Sequence, residues 1–184
     1  MLVFLVPLAV GFACNLASAF TTAFCHQYGE KLGSLMMVLL RDVFGIPVWS
    51  LGFLLAFRTP SPALFPSFAM LQIIGWLLTA AGGQVILAAL FKIRVRSIAL
   101  SARDTLVQNG LYGLVRHPIH SGVMLEFAGL ALIFPTLATA AACFLGLVWV
   151  QLQTRFEEYD LLRRLPGYRD YMNRVPRFFP LLRY

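Results

Sequence analysis

Four long stretches of the 184-residue chain carry no charged side chain: Met1 to Gly29, Val43 to Phe57, Thr59 to Phe91 and Phe127 to Thr154. About 20 apolar residues in a helix cross a ~30 Å hydrocarbon core, so the first and third each predict a membrane span. Val43 to Phe57 is short, which places the start of its span near Met36 and brings Arg41 and Asp42 to an interface, where an adjacent opposite pair is tolerated. A single helix from Ser121 to Thr154 would be roughly 50 Å long at 1.5 Å per residue. Pro135 lies inside it and disfavours helical geometry in the preceding residue. The pattern therefore predicts a hairpin: one helix ending near Phe134, a turn at Pro135 and Thr136, and a second helix returning through Trp149 toward Arg155.

Basic residues orient this layout, because cytoplasmic segments collect Lys and Arg. With five passes, 14 of the 15 Lys and Arg fall on one side and Arg58 alone on the other. A single pass in place of the hairpin would split the basic clusters across the membrane. The expected fold is thus an all-α integral membrane protein of five transmembrane helices in one domain, amino terminus outside and carboxyl terminus cytoplasmic. Three spans (1–91) lead to a cytoplasmic segment (92–120), the hairpin (121–154) and a cytoplasmic tail (155–184).

Composition agrees: 59% of residues are hydrophobic and 12% charged, against roughly 25% charged in soluble domains. The net charge of +7 does not indicate nucleic acid, since most of the surface is expected to face lipid. Cys14, Cys25 and Cys143 lie in or beside apolar runs without short spacing, so they encode neither a disulfide framework nor a zinc site, and no metal is expected. The first 29 residues lack a positive n-region and read as a span, not a secretory signal.

Chemistry concentrates in the two polar segments flanking the hairpin. The first contains Leu106-Val107, Asn109-Gly110, Tyr112 and the run Arg116-His117-Pro118-Ile119-His120-Ser121-Gly122. Two of the chain's three histidines flank a helix-breaking proline at the start of a membrane helix. The second opens with Arg155-Phe156-Glu157-Glu158 and continues through Pro166-Gly167-Tyr168, Tyr171 and Val175-Pro176. Taken singly, Arg116 reads as a topological anchor, His117 as a feature of a helix start, the paired Glu as a solvated tail, and the tyrosines as an interfacial belt. Glu126, about one and a half turns into the hairpin's first helix, either lines a tunnel or pairs with a tail arginine.

The run Leu106 to Gly122 resembles the Leu-Val-x-x-Gly-x-Tyr-x-x-x-Arg-His-Pro-x-Tyr-x-Gly signature of the isoprenylcysteine carboxyl methyltransferases and related phospholipid methyltransferases. Glu157 to Pro180 resembles their Glu-Glu-x-x-Leu, Gly-x-Tyr-x-x-Tyr and Val-Pro pattern. The resemblance implies a helical membrane enzyme that transfers a methyl group from S-adenosylmethionine to a lipid-soluble acceptor. It assigns the cofactor to Thr105, Leu106, Val107, Tyr112, His117, Pro118, Ile119, His120 and Glu157. His120 departs from the family's tyrosine, and Gln153 stands where the eukaryotic pattern has an acceptor-binding arginine. Arg155 is the nearest base in sequence, sharing a face with Glu158 and Tyr159. Arg155 is therefore the expected partner of an anionic acceptor, and Glu158 or His120 the expected base for an amine or thiol. The competing readings are an NADPH-dependent enzyme of the sterol-reductase type, whose Arg-His-Pro-Asn-Tyr run is absent here, and a non-catalytic membrane scaffold.

Overall fold

The computed structural model describes residues 2–93 and 106–180. Among these, the regular structure is helical, with a single isolated bridge between Ala63 and Thr136 and no strand. Helices α1 (Leu5–Ser18), α2 (Thr21–Tyr28), α3 (Glu30–Val38), α4 (Ile46–Arg58) and α5 (Ala69–Ile93) form the first half. The single turn α6 (Leu111–Leu114), then α7 (Pro118–Ile133), α8 (Leu137–Arg164) and α9 (Tyr168–Arg174) form the second.

The expected spans acquire different limits. A π-helical stretch, Leu39–Gly45, joins α3 to α4 as one helix of 29 residues, so the helix that carries the second apolar stretch begins at Glu30, upstream of Met36. Arg41 and Asp42 pair within it at 2.7 Å. The first apolar stretch is broken into α1 and α2, which diverge by 67°. The break is fixed from a distance, because Asp160 of α8 accepts a hydrogen bond from the Thr22 amide at 3.1 Å, at the free amino end of α2. Three helices are long and apolar enough to cross a membrane (Glu30–Arg58, Ala69–Ile93 and Leu137–Arg164), or four if the bent pair counts as one span. At 16 residues, α7 is roughly 24 Å long and falls short of a full crossing by itself.

The hairpin forms at the expected place, with α7 capped at Phe134 and α8 begun at Thr136, whose hydroxyl accepts from the Thr139 amide. Its turn is buried by the loop after α4. The Leu64 amide donates to Pro135 O (2.8 Å), the Leu137 amide to Pro62 O (2.9 Å) and the Ala138 amide to Ser61 Oγ (3.1 Å). The loop and the hairpin turn therefore share one end of the bundle.

Packing is closest where side chains are absent. A Cβ on Gly82 would lie 2.5 Å from Gly122 O, and one on Gly129 would lie 2.5 Å from Gly75 O, so α5 and α7 meet backbone to backbone along two glycine pairs. On the other side, α1 runs antiparallel to α4, Leu8 beside Gly52 and Asn15 beside Gly45. Aromatic rings fill the centre: Phe12 stacks on Trp149 (5.0 Å) and Phe53 on Phe127 (4.9 Å). These contacts knit α1, α4, α7 and α8 together.

Candidate functional site

At the end opposite the hairpin turn, the chain between α6 and α7 is extended and lies against the tail. Gly110 (φ +64°) opens the single turn α6 in a conformation other residues avoid. Pro118 then occupies the first turn of α7, where its missing N–H leaves no bond unmade. Between them, the Arg116 amide donates to Pro176 O (2.9 Å) and the His117 amide to Arg177 O (3.1 Å). Ser121 Oγ donates to Phe178 O (2.7 Å), and the Tyr171 hydroxyl to Tyr112 O (2.6 Å). The tail is thus fastened across the start of α7.

The adjacent glutamates face different ways, as neighbours 100° apart on a helix must. Glu158, 3% exposed, points into the tail. Its Oε1 accepts from Arg116 at 2.8 and 2.9 Å and lies 3.3 Å from His117 Nε2; its Oε2 accepts from Arg177 at 2.5 Å. Arg116 also donates to the carbonyls of Met172 and Val175. Glu157 turns instead into a cavity of about 630 Å³. One of its oxygens lies 3.5 Å from His117 Nδ1 and 4.0 Å from His120 Nδ1, and the other accepts from Gln153 Nε2 at 2.8 Å. Gln153, 3% exposed, keeps its own Oε1 buried with no partner among the described residues.

Burial alone would depress the His117 pKa, but hydrogen bonds and charge from Glu157 and Glu158 outweigh it and hold the ring above its ordinary 6.5. Burial, reinforced by Glu157, raises the Tyr112 phenol well above its usual range, so it stays a neutral donor.

Leu106, Val107, Tyr112, His117, Pro118, Ile119, His120 and Glu157 all line this cavity. Thr105 lies outside the described residues. The structure does not bring Arg155 or Glu158 to the cavity wall: Arg155 is exposed on the outer face of α8, and Glu158 is occupied by the tail. Glu126 does line the cavity and, among the described residues, forms no ion pair with a tail arginine. Sequence reasoning missed the wall supplied by the amino-terminal half: Asn15, Ser18, Arg41, Asp42 and Trp49. The one available signal was Asn15 and Ser18, polar residues one turn apart in an otherwise apolar run. From α5, Ile86, Leu90 and Ile93 complete an apolar side. The chamber thus joins a polar end, around Glu157 and His117, to a hydrocarbon-like wall between helices.

A relative among curated proteins, the cobalt-zinc-cadmium resistance protein CzcN of Cupriavidus metallidurans, is 34% identical over 80 residues. The match covers 43% of this chain and 37% of the relative, so the chain accounts for well under half of that protein's length. No solved structure matches. The sequence profile of the phospholipid methyltransferase family matches residues 69–168, which include the α5–α7 glycine contact, the Arg116 to Gly122 run, the hairpin and both glutamates, and the chain belongs to that family.

Proposed function

We propose that this protein transfers the methyl group of S-adenosylmethionine to a membrane-soluble acceptor, at a site on the cytoplasmic face. The observation that carries the reading is a single chamber whose one end is polar and hydrogen-bonding and whose other end is apolar and lies between helices. An amphiphilic cofactor from water and an acceptor from lipid can meet there. The buried Gln153 Oε1, an acceptor without a donor, fits a bound ligand that brings N–H or O–H groups.

When bound, the cofactor supplies a methyl group activated on a sulfonium, and transfer is an in-line displacement. The chain's task is alignment and exclusion of water. Glu157, beside Gln153, receives ribose hydroxyls or the cofactor's ammonium. Leu106, Val107 and Ile119 supply apolar walls, and Tyr112 an aromatic face toward adenine or sulfonium. Glu158 acts as a positioning residue: fixed by Arg116 and Arg177, it holds His117 through Nε2. Arg155 is too exposed to hold an acceptor in this chamber. A carboxylate acceptor needs no base, whereas an amine or thiol would leave its proton to His120, which lines the wall.

Calorimetry on detergent-solubilised protein tests the cofactor directly. S-adenosylmethionine and S-adenosylhomocysteine are expected to bind and NADPH not to. Glu157→Gln should weaken binding by about 1.5 to 3 kcal/mol, the scale of a hydrogen bond to a charged group. Binding of NADPH alone would overturn the reading, and unchanged affinity in Glu157→Gln would remove that carboxylate from the site.

A further inference from the structure

His117 and His120 stand one helical turn apart at the start of α7, their ring centroids 5.6 Å apart and their planes within 28°. Both present Nδ1 toward the same oxygen of Glu157, at 3.5 and 4.0 Å. One donor atom from each of the three residues lies within 4.8 Å of the other two. Donors around a tetrahedral ion at ~2.0–2.2 Å sit roughly 3.3 to 3.6 Å apart. The Glu157 oxygen is already close to that spacing from both rings, and small side-chain rotations of the two histidines would bring the rest of the set to it.

The hydrogen bonds around the three also suit a metal. His117 Nε2 faces Glu158 Oε1 at 3.3 Å, so a proton kept on Nε2 is donated to that carboxylate, and a metal that displaces the Nδ1 proton would find the freed lone pair on the Glu157 side. A carboxylate behind a ligating imidazole fixes its tautomer and raises its basicity. Here that carboxylate is itself anchored by Arg116 and Arg177. His120 Nδ1 lies 3.2 Å from Thr154 Oγ1, whose own proton goes to Val150 O at 2.7 Å, so Nδ1 is the donor in this contact; binding a metal through Nδ1 would move the ring proton to Nε2 and leave Thr154 bonded to Val150. An independent feature points the same way: the Gln153 side chain, almost fully buried and bonded to Glu157 through Nε2, holds an unpartnered carbonyl oxygen on the same cavity wall. It offers a neutral oxygen donor next to the three ligands.

We infer that His117, His120 and Glu157 form a binding site for one divalent transition-metal ion of the zinc class, with Glu158 as its outer carboxylate. Two imidazoles and one carboxylate favour zinc or cobalt over magnesium or calcium, which take all-oxygen sites. His120 is what distinguishes this chain, since the tyrosine of the family signature brings no neutral ring nitrogen. The site draws on segments about 40 residues apart and has no cysteine among its ligands, so cysteine spacing gave no sign of it. Glu157 is also the carboxylate proposed for the cofactor, so metal and cofactor exclude one another; this consequence, unlike the site itself, rests on the proposed function.

The test uses the full chain, freed of any affinity tag, stripped with chelator and held in detergent. Titration with Co²⁺ should produce a saturable visible absorption of four- or five-coordinate cobalt at one equivalent, abolished by Zn²⁺. His120→Tyr and Glu157→Gln should each weaken Co²⁺ binding by at least ~10-fold, and Glu158→Gln by ~10- to 100-fold, as for outer-shell partners elsewhere. Thermal unfolding without metal identifies any variant that fails to fold, and the variant at the other ligand then carries the comparison. Absence of the cobalt band, or equal binding by folded wild type and His120→Tyr, overturns the site. Zn²⁺ should also weaken S-adenosylhomocysteine binding to the wild type; unchanged affinity overturns the exclusion. Cobalt binding without any S-adenosylhomocysteine binding would leave the metal site standing and remove the cofactor reading, and the converse result would do the opposite.

Discussion

Replacing Glu158 by glutamine keeps the shape of the side chain and removes its charge, in a place where three donors converge on it. Arg116, 8% exposed, would lose its ionic partner while retaining its bonds to the Met172 and Val175 carbonyls. Arg177 is 31% exposed and can turn to water, so its loss is discounted. His117 Nε2 would face an amide instead of a carboxylate. Breaking a buried pair by removing one partner costs about 3–5 kcal/mol. With Arg116 still holding two carbonyls and Arg177 partly solvated, about 2–4 kcal/mol is expected here. The effect should be local first: the tail from Tyr168 onward is fastened through Arg116, His117, Ser121 and Tyr171, and proteolysis within α9 should accelerate before the bundle unfolds. Thermal unfolding in nanodiscs, with timed proteolysis alongside, measures both. Arg155→Ala, at an exposed position, should change stability by less than ~0.5 kcal/mol in the same assay. A general base would behave otherwise, since Glu158→Gln would then be stable and slow, with an altered pH–rate profile. Stability within ~0.5 kcal/mol of wild type together with unchanged proteolysis would refute the anchoring role.

Gly82→Ala should cost about 1–3 kcal/mol of stability, because its Cβ would meet the Gly122 carbonyl at 2.5 Å and a backbone atom cannot give way. Gly83→Ala, whose nearest atom is a Glu126 oxygen at 3.6 Å, should be nearly neutral in the same unfolding measurement. Burial, opposed by Arg116, pushes the Tyr171 phenol up to about 12. Its neutral form is favoured by folding, so its contribution holds below the ordinary value near 10 and is lost as pH rises from 10 toward 12. Spectrophotometric titration in which all six tyrosines ionise together near 10 would contradict this. Cysteines placed at Pro60 and Asn173, in a background without the native three, should label from opposite sides of the membrane, and labelling of both from one side would overturn the orientation.

Sequence pattern reached what local physics controls. Pro135 marked the hairpin turn because it sits within a stretch too long for one span and disfavours helical geometry in the residue before it, and the Leu64–Pro135 hydrogen bond sets that turn beside the loop after Arg58. Leu106, Val107, Tyr112, His117 and His120 from one polar segment and Glu157 from the other meet at one cavity. Pattern failed where a contact spans most of the chain. Nothing near Ala19 and Phe20 announces a break, since Asp160, 138 residues on, caps the Thr22 amide. Asn15 and Ser18 reach the cavity through the α1–α4 packing, which only the bundle reveals. Nor did the pair Glu157-Glu158 disclose which member faces the tail: that depends on Arg116 and Arg177 arriving from two other segments. Arg155 shares an approximate face with Glu158 on a helical wheel, yet the tail covers one and leaves the other in the open.

The central claim is that the chamber bounded by His117, Glu157 and the apolar wall of α5 brings a methyl donor to a lipid-soluble acceptor. The most direct measurement is methyl transfer itself: purified protein in nanodiscs, S-adenosylmethionine labelled in its methyl group, and a total membrane lipid extract as the source of acceptor. The account predicts that label enters the organic-soluble fraction with wild type and falls by at least ~10-fold with Glu157→Gln, the smallest loss expected for a charged hydrogen bond. Wild-type protein that is folded and metal-free, yet neither binds S-adenosylmethionine nor transfers label to any lipid, would contradict it.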